Sequence, residues 1–275
     1  MSRFWRNPTL MIGLVLTLLM VGIALVSLVW TPEVPTRLRL PFRLRAPFGE
    51  SGLLGTDHMG RDVVSMLMAG SWNSLAVAIP SVLLGLAGGV SLGLIAAARG
   101  GWLDEAIMRA ADITFAFPAV LTAIMLGVLI GGGAHTAILA IGIFNIPVFA
   151  RVSRAAALQV LAREFIAAAR GAGKGPILIA VQHVLPNIAG ILIVQATIQL
   201  ALAVLTEAGL SYLGVGIAPP APSWGRMLAE SQTFMSRAPW LALLPGLCIA
   251  IAVLGLNLLG DGLRDALDPK LKARR

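Results

Sequence analysis

Five long apolar runs without Asp, Glu, Lys or Arg alternate with charged segments along the chain, and the third of them is long enough for two spans. As a helix that rises ~1.5 Å per residue, a run of about 20 residues crosses roughly 30 Å of hydrocarbon. The first run is longer than the apolar core of a signal peptide and lacks a small-x-small cleavage site, so we interpret it as a retained span. The pattern therefore predicts six membrane-spanning helices, at 9–30, 74–98, 113–130, 134–150, 188–205 and 238–260.

Glycine and proline punctuate these runs. Gly131, Gly132 and Gly133 divide the uncharged stretch between Asp112 and Arg151 into two spans. Proline inside a helix removes a backbone hydrogen bond and kinks it, which we expect at Pro118, Pro147 and Pro245. Gly85, Gly89 and Gly93 recur every four residues and so share one helix face, where a second helix can approach closely. We interpret this face as a packing surface; a face that lines a translocation path is the alternative.

The composition requires a largely lipid environment. Hydrophobic residues make up 57% of the 275 residues and charged residues 12%, with a mean hydropathy of +0.87. The net charge of +8 does not indicate nucleic-acid binding, because the basic residues lie between apolar runs and no groove-reading motif is present. The single cysteine, Cys248, excludes an intrachain disulfide.

The distribution of basic residues predicts the orientation of the spans. If both termini are cytoplasmic, the inner segments are 1–8, 99–112, 151–187 and 261–275. Those segments hold 14 of the 21 Lys and Arg residues. Cytoplasmic loops are enriched in basic residues, so both termini are expected inside.

The longest inner loop carries the most informative stretch. Residues 164–170 are Ala-rich and should be helical, whereas the glycines of 171–175 and Pro176 should end that helix and turn the chain before a second helix. A helix, a glycine turn and a second helix between two spans would form a docking surface for a soluble partner. We expect His183 to order this loop.

This stretch resembles the coupling loop of bacterial ABC importer permeases, in which an Ala-Ala pair precedes a Gly and later a Leu-Pro. Further blocks at 54–62, 207–225 and 257–269 resemble the dipeptide, oligopeptide and nickel subfamily, in particular its C-type permease subunit. The family positions here fall on Ala168, Ala169, Gly173, Leu185 and Pro186.

The resemblance implies the type I ABC importer permease fold, with all-α architecture in the bacterial inner membrane. Residues 1–73 would form the N-terminal span and a periplasmic loop, and 74–275 the permease core with its coupling loop at 153–187. The implied partners are a homologous permease, two ATP-binding subunits and a periplasmic binding protein. Glu164, Phe165 and Arg170 would join the family positions in contacting the ATP-binding subunits.

The resemblance also implies the role. The chain would form, with its homologous partner, a path for di- or oligopeptides; nickel, metal chelates and glutathione are the alternative substrates. ATP and Mg²⁺ would bind the partner subunits, with no cofactor and no metal on this chain. An ion-coupled secondary transporter would need several acids at mid-membrane, and an intramembrane enzyme would need catalytic motif pairs that we do not find in the sequence.

The block at 54–62 has two interpretations. Asp57, His58 and Asp62 could hold a metal or a substrate. Alternatively, Thr56 or Asp57 caps a short helix that runs into Val63, which we favour because these are good N-cap residues.

Two acidic residues lie near apolar runs. Glu207 and, close to it, Ser211 are candidates for the translocation path, with structural pairing of the glutamate as the alternative. Asp112, at the mouth of the third span, should be solvated or paired with Arg109.

No nucleotide site is expected on this chain. The run 171–175, Gly-Ala-Gly-Lys-Gly, resembles part of a phosphate-binding loop, but Ala168 stands where its first glycine is required and Gly175 stands where Ser or Thr must follow the lysine. We therefore expect no catalytic residues and no enzyme activity.

The predicted orientation can be tested by labelling. In a Cys248→Ala background, Ser51→Cys should react in intact cells with a membrane-impermeant thiol reagent, and Gly175→Cys should react only after the membrane is opened. Both residues lie in loops on opposite sides of the predicted bilayer. Labelling in the reverse order would overturn the orientation.

Overall fold

Helices make up almost all of the regular structure in the described part of the chain. The computed structural model describes residues 7–49 and 52–267. Arg3, Arg6, Ser51 and the basic tail at 268–275, which contribute to the predicted orientation and its test, lie outside that part. The helices are α1 (Pro8–Ser27), α2 (Val63–Arg99), α3 (Gly101–Ala116), α4 (Ala119–Ile130), α5 (Ala134–Leu161), α6 (Glu164–Gly171), α7 (Pro176–Ile179), α8 (Leu185–Tyr212), α9 (Trp224–Ser231) and α10 (Trp240–Leu267).

The described residues contain five continuous stretches that are long and apolar enough to cross a membrane: α1, α2, α5, the run from α7 through α8, and α10. The pair α3 and α4, whose helices meet at 84°, makes a sixth only if the two helices count as one broken span. This corrects the single helix expected at 113–130. Pro118 lies between the two helices, and Phe117 before it has φ −95° and ψ 128°, an extended conformation that proline favours in the preceding residue.

Several helices extend beyond the apolar runs that predicted them. Helix α2 begins at Val63 instead of 74, α3 begins at Gly101 within the predicted inner segment 99–112, and α5 continues to Leu161, into the predicted loop. The sixth span is likewise displaced, from 238–260 to Trp240–Leu267. Loss of apolar character marks where lipid contact ends, but the backbone hydrogen bonds of a helix can continue through polar residues.

The predicted fifth span, 188–205, is part of a longer helical run from Pro176 to Tyr212. A π-helical turn at Ala180–Val184 joins α7 to α8 just before Pro186. The wider turn accommodates a proline that cannot donate to the usual carbonyl four residues earlier. Residues 206–212, beyond the predicted end of the span at 205, form the last two turns of this helix.

Helices α2 and α5 pack closely through the glycines that share one face of α2. A β-carbon at Gly85 would lie 2.2 Å from the Asn145 β-carbon. At Gly89 it would lie 2.4 Å from the Ile146 carbonyl oxygen, and at Gly93 2.4 Å from that of Ala150. No side chain fits at these distances, so the two backbones touch directly over two turns of α2.

Glycines also bring the first and last helices together. A β-carbon at Gly13 would lie 2.3 Å from the Leu259 amide nitrogen, and one at Gly262 would lie 2.5 Å from the Leu10 α-carbon. Helix α1 therefore packs along α10. Helix α4, in contrast, leaves large apolar side chains exposed, among them Leu121, Met125 and Val128.

The α2–α5 contact can be tested with two adjacent glycines. Gly89→Ala should destabilise the protein by about 1–3 kcal/mol, because its β-carbon meets backbone that cannot move aside. Gly88→Ala should cost less, since its β-carbon meets the flexible Ile146 side chain at 3.3 Å. The fraction of monodisperse protein after heating in detergent measures both. Equal losses would show that α2 and α5 do not depend on this backbone contact.

Candidate coupling surface and translocation cavity

Helix α6 has one buried face and one exposed face. Ile166 is fully buried and Ala169 is 8% exposed, so this face anchors the helix to the rest of the protein. Glu164, Phe165, Ala168 and Arg170 are exposed. We call the exposed residues Glu164, Phe165, Ala168, Arg170 and Gly173 the coupling surface.

The turn after α6 requires glycine. Gly173 has φ +81°, a left-handed conformation that residues with a β-carbon seldom adopt. Its amide donates to the Arg170 carbonyl at 3.0 Å, and the Lys174 amide donates to the Ala169 carbonyl at 3.1 Å. This hydrogen-bond pair is the Schellman motif, which satisfies carbonyls at a helix end. A β-carbon at Gly173 would meet no atom within 4 Å, so the turn points into open space.

Side chains from the π-helical turn hold the glycine turn in place. The Lys174 ammonium donates to Gln182 Oε1 at 3.0 Å and lies 3.0 Å from His183 Nε2. The His183 ring packs edge-on against Phe165, with 6.3 Å between ring centroids. The remaining predicted coupling residues, Leu185 and Pro186, lie in the first turn of α8. The loop thus has a defined shape in the chain by itself.

On the other side of the protein, Asp62 begins α2. Its carboxylate accepts hydrogen bonds from the Ser65 amide at 2.8 Å and the Ser65 hydroxyl at 2.7 Å. The expected N-cap, Thr56 or Asp57, was therefore wrong. The Thr56 hydroxyl accepts from the Arg45 amide and donates to the Phe42 carbonyl, closing the preceding loop. Asp62 is the N-cap because it directly precedes Val63, the first helical residue.

A buried arginine joins this loop to α9. Arg61 donates from Nε to Asp57 Oδ2 at 2.6 Å and from Nη2 to Glu230 Oε2 at 2.6 Å. Burial disfavours the charge on Arg61, but the two carboxylates outweigh it and raise the pKa of its guanidinium. Burial likewise opposes ionisation of Glu230, yet hydrogen bonds and charge from Arg226 and Arg61 hold its pKa below the usual value.

This contact bears on the alternative interpretation of the block at 54–62, in which its side chains hold a metal. Asp57 and His58 come together with Glu230, and their ligand atoms lie within 4.8 Å of one another. Asp62 instead faces Ser65. Because the Arg61 guanidinium bridges both carboxylates, it supplies the positive charge that a metal ion would bring, and the cluster fits an ionic clamp between loop and helix.

Glu207 lies inside the protein and joins two helices. Its side chain is fully buried. Oε2 accepts a hydrogen bond from the Ser74 hydroxyl at 2.7 Å and Oε1 accepts one from the Ser211 hydroxyl at 2.6 Å. Glu207 therefore joins α8 to α2, which agrees with the structural pairing given as the alternative to a role in the translocation path. Neither Glu207 nor Ser211 lines the cavity described below.

Two arginines of α5 pair with acids of α3. The Asp112 side chain is 68% exposed, as expected for a solvated acid, but its partner is Arg151. Arg109 pairs with Glu105 at 2.6 Å, so the alternative Asp112–Arg109 pair is not formed. Arg109 and Glu105 are four residues apart on one helix, which brings their side chains together. Asp104 and Arg154 form a second α3–α5 pair, with 2.5 Å between Arg154 Nη2 and Asp104 Oδ2.

A cavity of about 290 Å³ opens between α3, α4, α5 and α8. Its wall is mostly apolar and includes Phe115 and Phe144, but the amides of Asn145 and Gln199 also line it. Our sequence reasoning did not identify these two residues. The available signal was a polar side chain at mid-run within apolar spans, together with Gln195 and Gln199 at helical spacing.

Comparisons with known proteins agree with this architecture. The model of the family described as "Binding-protein-dependent transport system inner membrane component" matches residues 89–273. The di/tripeptide transport system permease protein DppC of Pseudomonas aeruginosa (strain UCBPP-PA14) is 40% identical, over 99% of this chain and 93% of its own. The glutathione transport system permease protein GsiD of Pectobacterium atrosepticum is 44% identical, over 80% of this chain and 73% of its own.

Among solved structures, an inward-facing MetNI methionine ABC transporter has a similar fold. The TM-score is 0.62 at 22% identity, and the match covers 74% of this chain and 96% of that one. The family model and the full-length relatives lead to one conclusion: the chain belongs to the family of binding-protein-dependent transport system inner membrane components, and it has the type I ABC importer permease fold.

Proposed function

We propose that this chain is the permease subunit of an ATP-driven importer of the bacterial cytoplasmic membrane, and that it forms a path for di- and oligopeptides with a homologous permease. The coupling surface carries this proposal. It is an exposed helix with a buried anchor and a glycine turn, placed between two spanning helices, α5 and α8. A soluble subunit can bind such a surface and move the spans on either side of it.

ATP and Mg²⁺ bind two separate subunits in this proposal. Helix α6 begins three residues after α5 ends at Leu161. When the ATP-binding subunits close, they push α6, and α5 moves with it. Because α5 touches the backbone of α2 through Gly85, Gly89 and Gly93, the two helices move as one body. That movement would alternate the path between outward and inward states.

The substrate assignment rests on the relatives and on the cavity. The similar DppC protein is named for di- and tripeptides, and GsiD for glutathione, which is itself built from amino acids. Free nickel or another cation would need carboxylate, imidazole or thiolate ligands. None lines the cavity in the described part of the chain. Peptides are therefore our first assignment and glutathione the second.

The described acids do not favour an ion-coupled transporter. Glu207 is fully enclosed by helices α2 and α8, and Asp112 is exposed and paired with Arg151. Neither lies in the cavity. The orientation with both termini in the cytoplasm belongs to the proposal as well, because it places the coupling surface where ATP is available.

If ATP binds only the separate ATP-binding subunits, its hydrolysis should require them. The purified chain should show no ATPase activity, whereas the complex with its ATP-binding subunits should hydrolyse ATP and import labelled dipeptide into proteoliposomes that contain the binding protein. Nickel, glutathione and dipeptide should be compared in the same vesicles. Turnover of ATP by the isolated, contaminant-free chain would contradict the proposal, and import of nickel alone would overturn the peptide assignment.

The coupling surface predicts a specific effect at Gly173. Gly173→Val should insert normally but lose the ATP-binding subunits during purification, because a β-carbon at φ +81° costs roughly 1 kcal/mol or more. The new side chain would also occupy the open space where the partner binds. Co-purification of the ATP-binding subunits and dipeptide import measure the effect.

Gly171→Ala is the matched control for that experiment. Gly171 is the last residue of α6, it does not have a positive φ, and a β-carbon there meets nothing within 4 Å. It should retain its partners and import at close to the wild-type rate. If Gly173→Val behaves like Gly171→Ala, this loop is not the coupling element.

A further inference from the structure

Helix α4 is held weakly by the rest of the chain. Within its 12 residues, all of which the structure describes, Ala123 is the one buried residue. Leu121, Met125 and Val128 are each more than half exposed. Segments with few buried contacts are the ones that open at low cost in free energy, so α4 can move without disrupting the core.

Both ends of α4 can act as hinges. At its start, Phe117 and Pro118 separate it from α3, and the two helices meet at 84°. At its end, Gly131 has φ +86° and ψ 152°, a conformation that is essentially limited to glycine. The chain is fixed again directly after this residue, because the Thr136 hydroxyl donates to the Gly131 carbonyl. Hinges in proteins are residues at element ends, as here, that absorb large changes in backbone angles.

Helix α4 is also a wall of the cavity between α3, α5 and α8. Ala119 and Ala123 line this cavity. One turn further along, toward the outer end in the proposed orientation, a β-carbon at Gly127 would lie 2.8 Å from Val215 Cγ1. Val215 belongs to residues 213–217, which follow α8 and which we call the strap. The strap therefore touches α4 just beyond the last residue that α4 contributes to the cavity.

Hydrogen bonds fix the strap to its own helix. The Val215 amide donates to the Leu210 carbonyl at 2.9 Å, and Leu210 lines the cavity. The Ile217 amide donates to the Ser211 hydroxyl at 3.1 Å, and that hydroxyl donates to the buried carboxylate of Glu207. The strap is thus a rigid continuation of α8.

The contacts between the strap and the end of α4 are loose by comparison. In the described part of the chain, one hydrogen bond joins the strap to the turn after α4, from the Gly133 amide to the Val215 carbonyl at 3.4 Å. This distance exceeds the usual 2.7–3.2 Å of an N–H···O bond. At Gly127 itself, the contact is one glycine against one apolar carbon. The strap can therefore separate from α4 while it remains fixed to α8.

We propose that α4 is a lid at the outer end of the cavity, which turns about its two hinges and is closed by the contact between Gly127 and Val215. Opening this contact admits a peptide to the cavity from the outer side, and closing it prevents the peptide from returning. Helix α5 connects the lid to the coupling surface, because Arg151 and Arg154 of α5 bind acids of α3, next to the first hinge. The inference rests on the proposed function, which supplies the peptide and the orientation.

A reversible cross-link tests the lid. Gly127→Cys and Val215→Cys are combined in the Cys248→Ala background, in complexes with the second permease and the ATP-binding subunits, reconstituted in vesicles with the binding protein. Because the two positions are in contact, a mild oxidant should join the cysteines. Import of labelled dipeptide should then be lost, and a reductant should restore it.

The outcomes separate the lid from the proposed function. Import that continues after cross-linking would overturn the lid alone, and so would failure of the two cysteines to join. Absence of dipeptide import by the wild-type complex would instead overturn the proposed function, and the lid with it.

Gly88→Cys with Ile146→Cys is the matched control. Here too the β-carbon of a substituted glycine would face the γ carbon of a β-branched side chain, at 3.3 Å. This pair joins α2 to α5, which move as one body in the proposed function, so its cross-link should leave import unchanged. If both cross-links abolish import equally, the effect is not specific to α4 and the lid is overturned.

Labelling tests the movement without relying on transport. In the Cys248→Ala background, Val215→Cys should react faster with a membrane-impermeant thiol reagent when the binding protein and a non-hydrolysable ATP analogue hold the complex in its outward state. Leu213→Cys lies in the same strap but is already 53% exposed, so it should react at the same rate in both states. Equal rates for Val215→Cys with and without the analogue would contradict a moving lid.

Discussion

The direct backbone contact between α2 and α5 is the constraint on which the other features depend. In lipid, apolar side chains gain little by leaving one hydrocarbon environment for another, so helices associate through close packing and hydrogen bonds. Glycines spaced four apart give α2 a groove, and α5 lies in it, with its backbone carbonyls and the first side-chain atoms of Asn145, Phe149 and Ser153 against the glycines. This contact positions Asn145 at the cavity and joins the helix next to the coupling surface to the centre of the protein.

Polar side chains within the spans form small hydrogen-bonded groups, each of which joins two helices. Glu207 links α8 to α2 through two serine hydroxyls, and Gln199 links α8 to α5 through Asn145. Such groups are costly to bury unless they are satisfied. Among the described span residues, Asn145 Nδ2, Thr17 Oγ1 and Trp240 Nε1 depart from this rule, because none of these atoms has a hydrogen-bond partner.

Charged side chains form ion pairs that hold neighbouring elements of the protein together. On one side, Arg61 clamps the loop before α2 to Glu230 of α9. Within the second half of α5, Arg151 and Arg154 bind acids of α3 and hold the two helices together. Since the α3–α4 pair forms one wall of the cavity, movement of α5 would carry that wall with it through these pairs. A push on α6 thus has a mechanical route to the wall of the cavity.

The sequence by itself determined the class of protein, the places of the continuous spans and the outline of the coupling surface. Uncharged runs predict membrane spans because charge is excluded from lipid, and Gly173 predicts a turn because few other residues adopt positive φ. Local signals of this kind depend on neighbouring residues alone, which is why α6 and its turn lie where the sequence placed them.

Tertiary structure decided the helix ends and the partners of the polar side chains. Helix α2 begins at Val63, after its N-cap Asp62, and α5 continues past Arg151, because backbone hydrogen bonding does not stop where apolar composition does. Arg61 meets Glu230 across 169 positions of chain, and Gln199 meets Asn145 across 54. Pairings over such separations follow from how the helices pack, which no local pattern specifies. The coupling surface was therefore open to prediction from sequence, whereas the amide pair in the cavity became visible only in the folded protein.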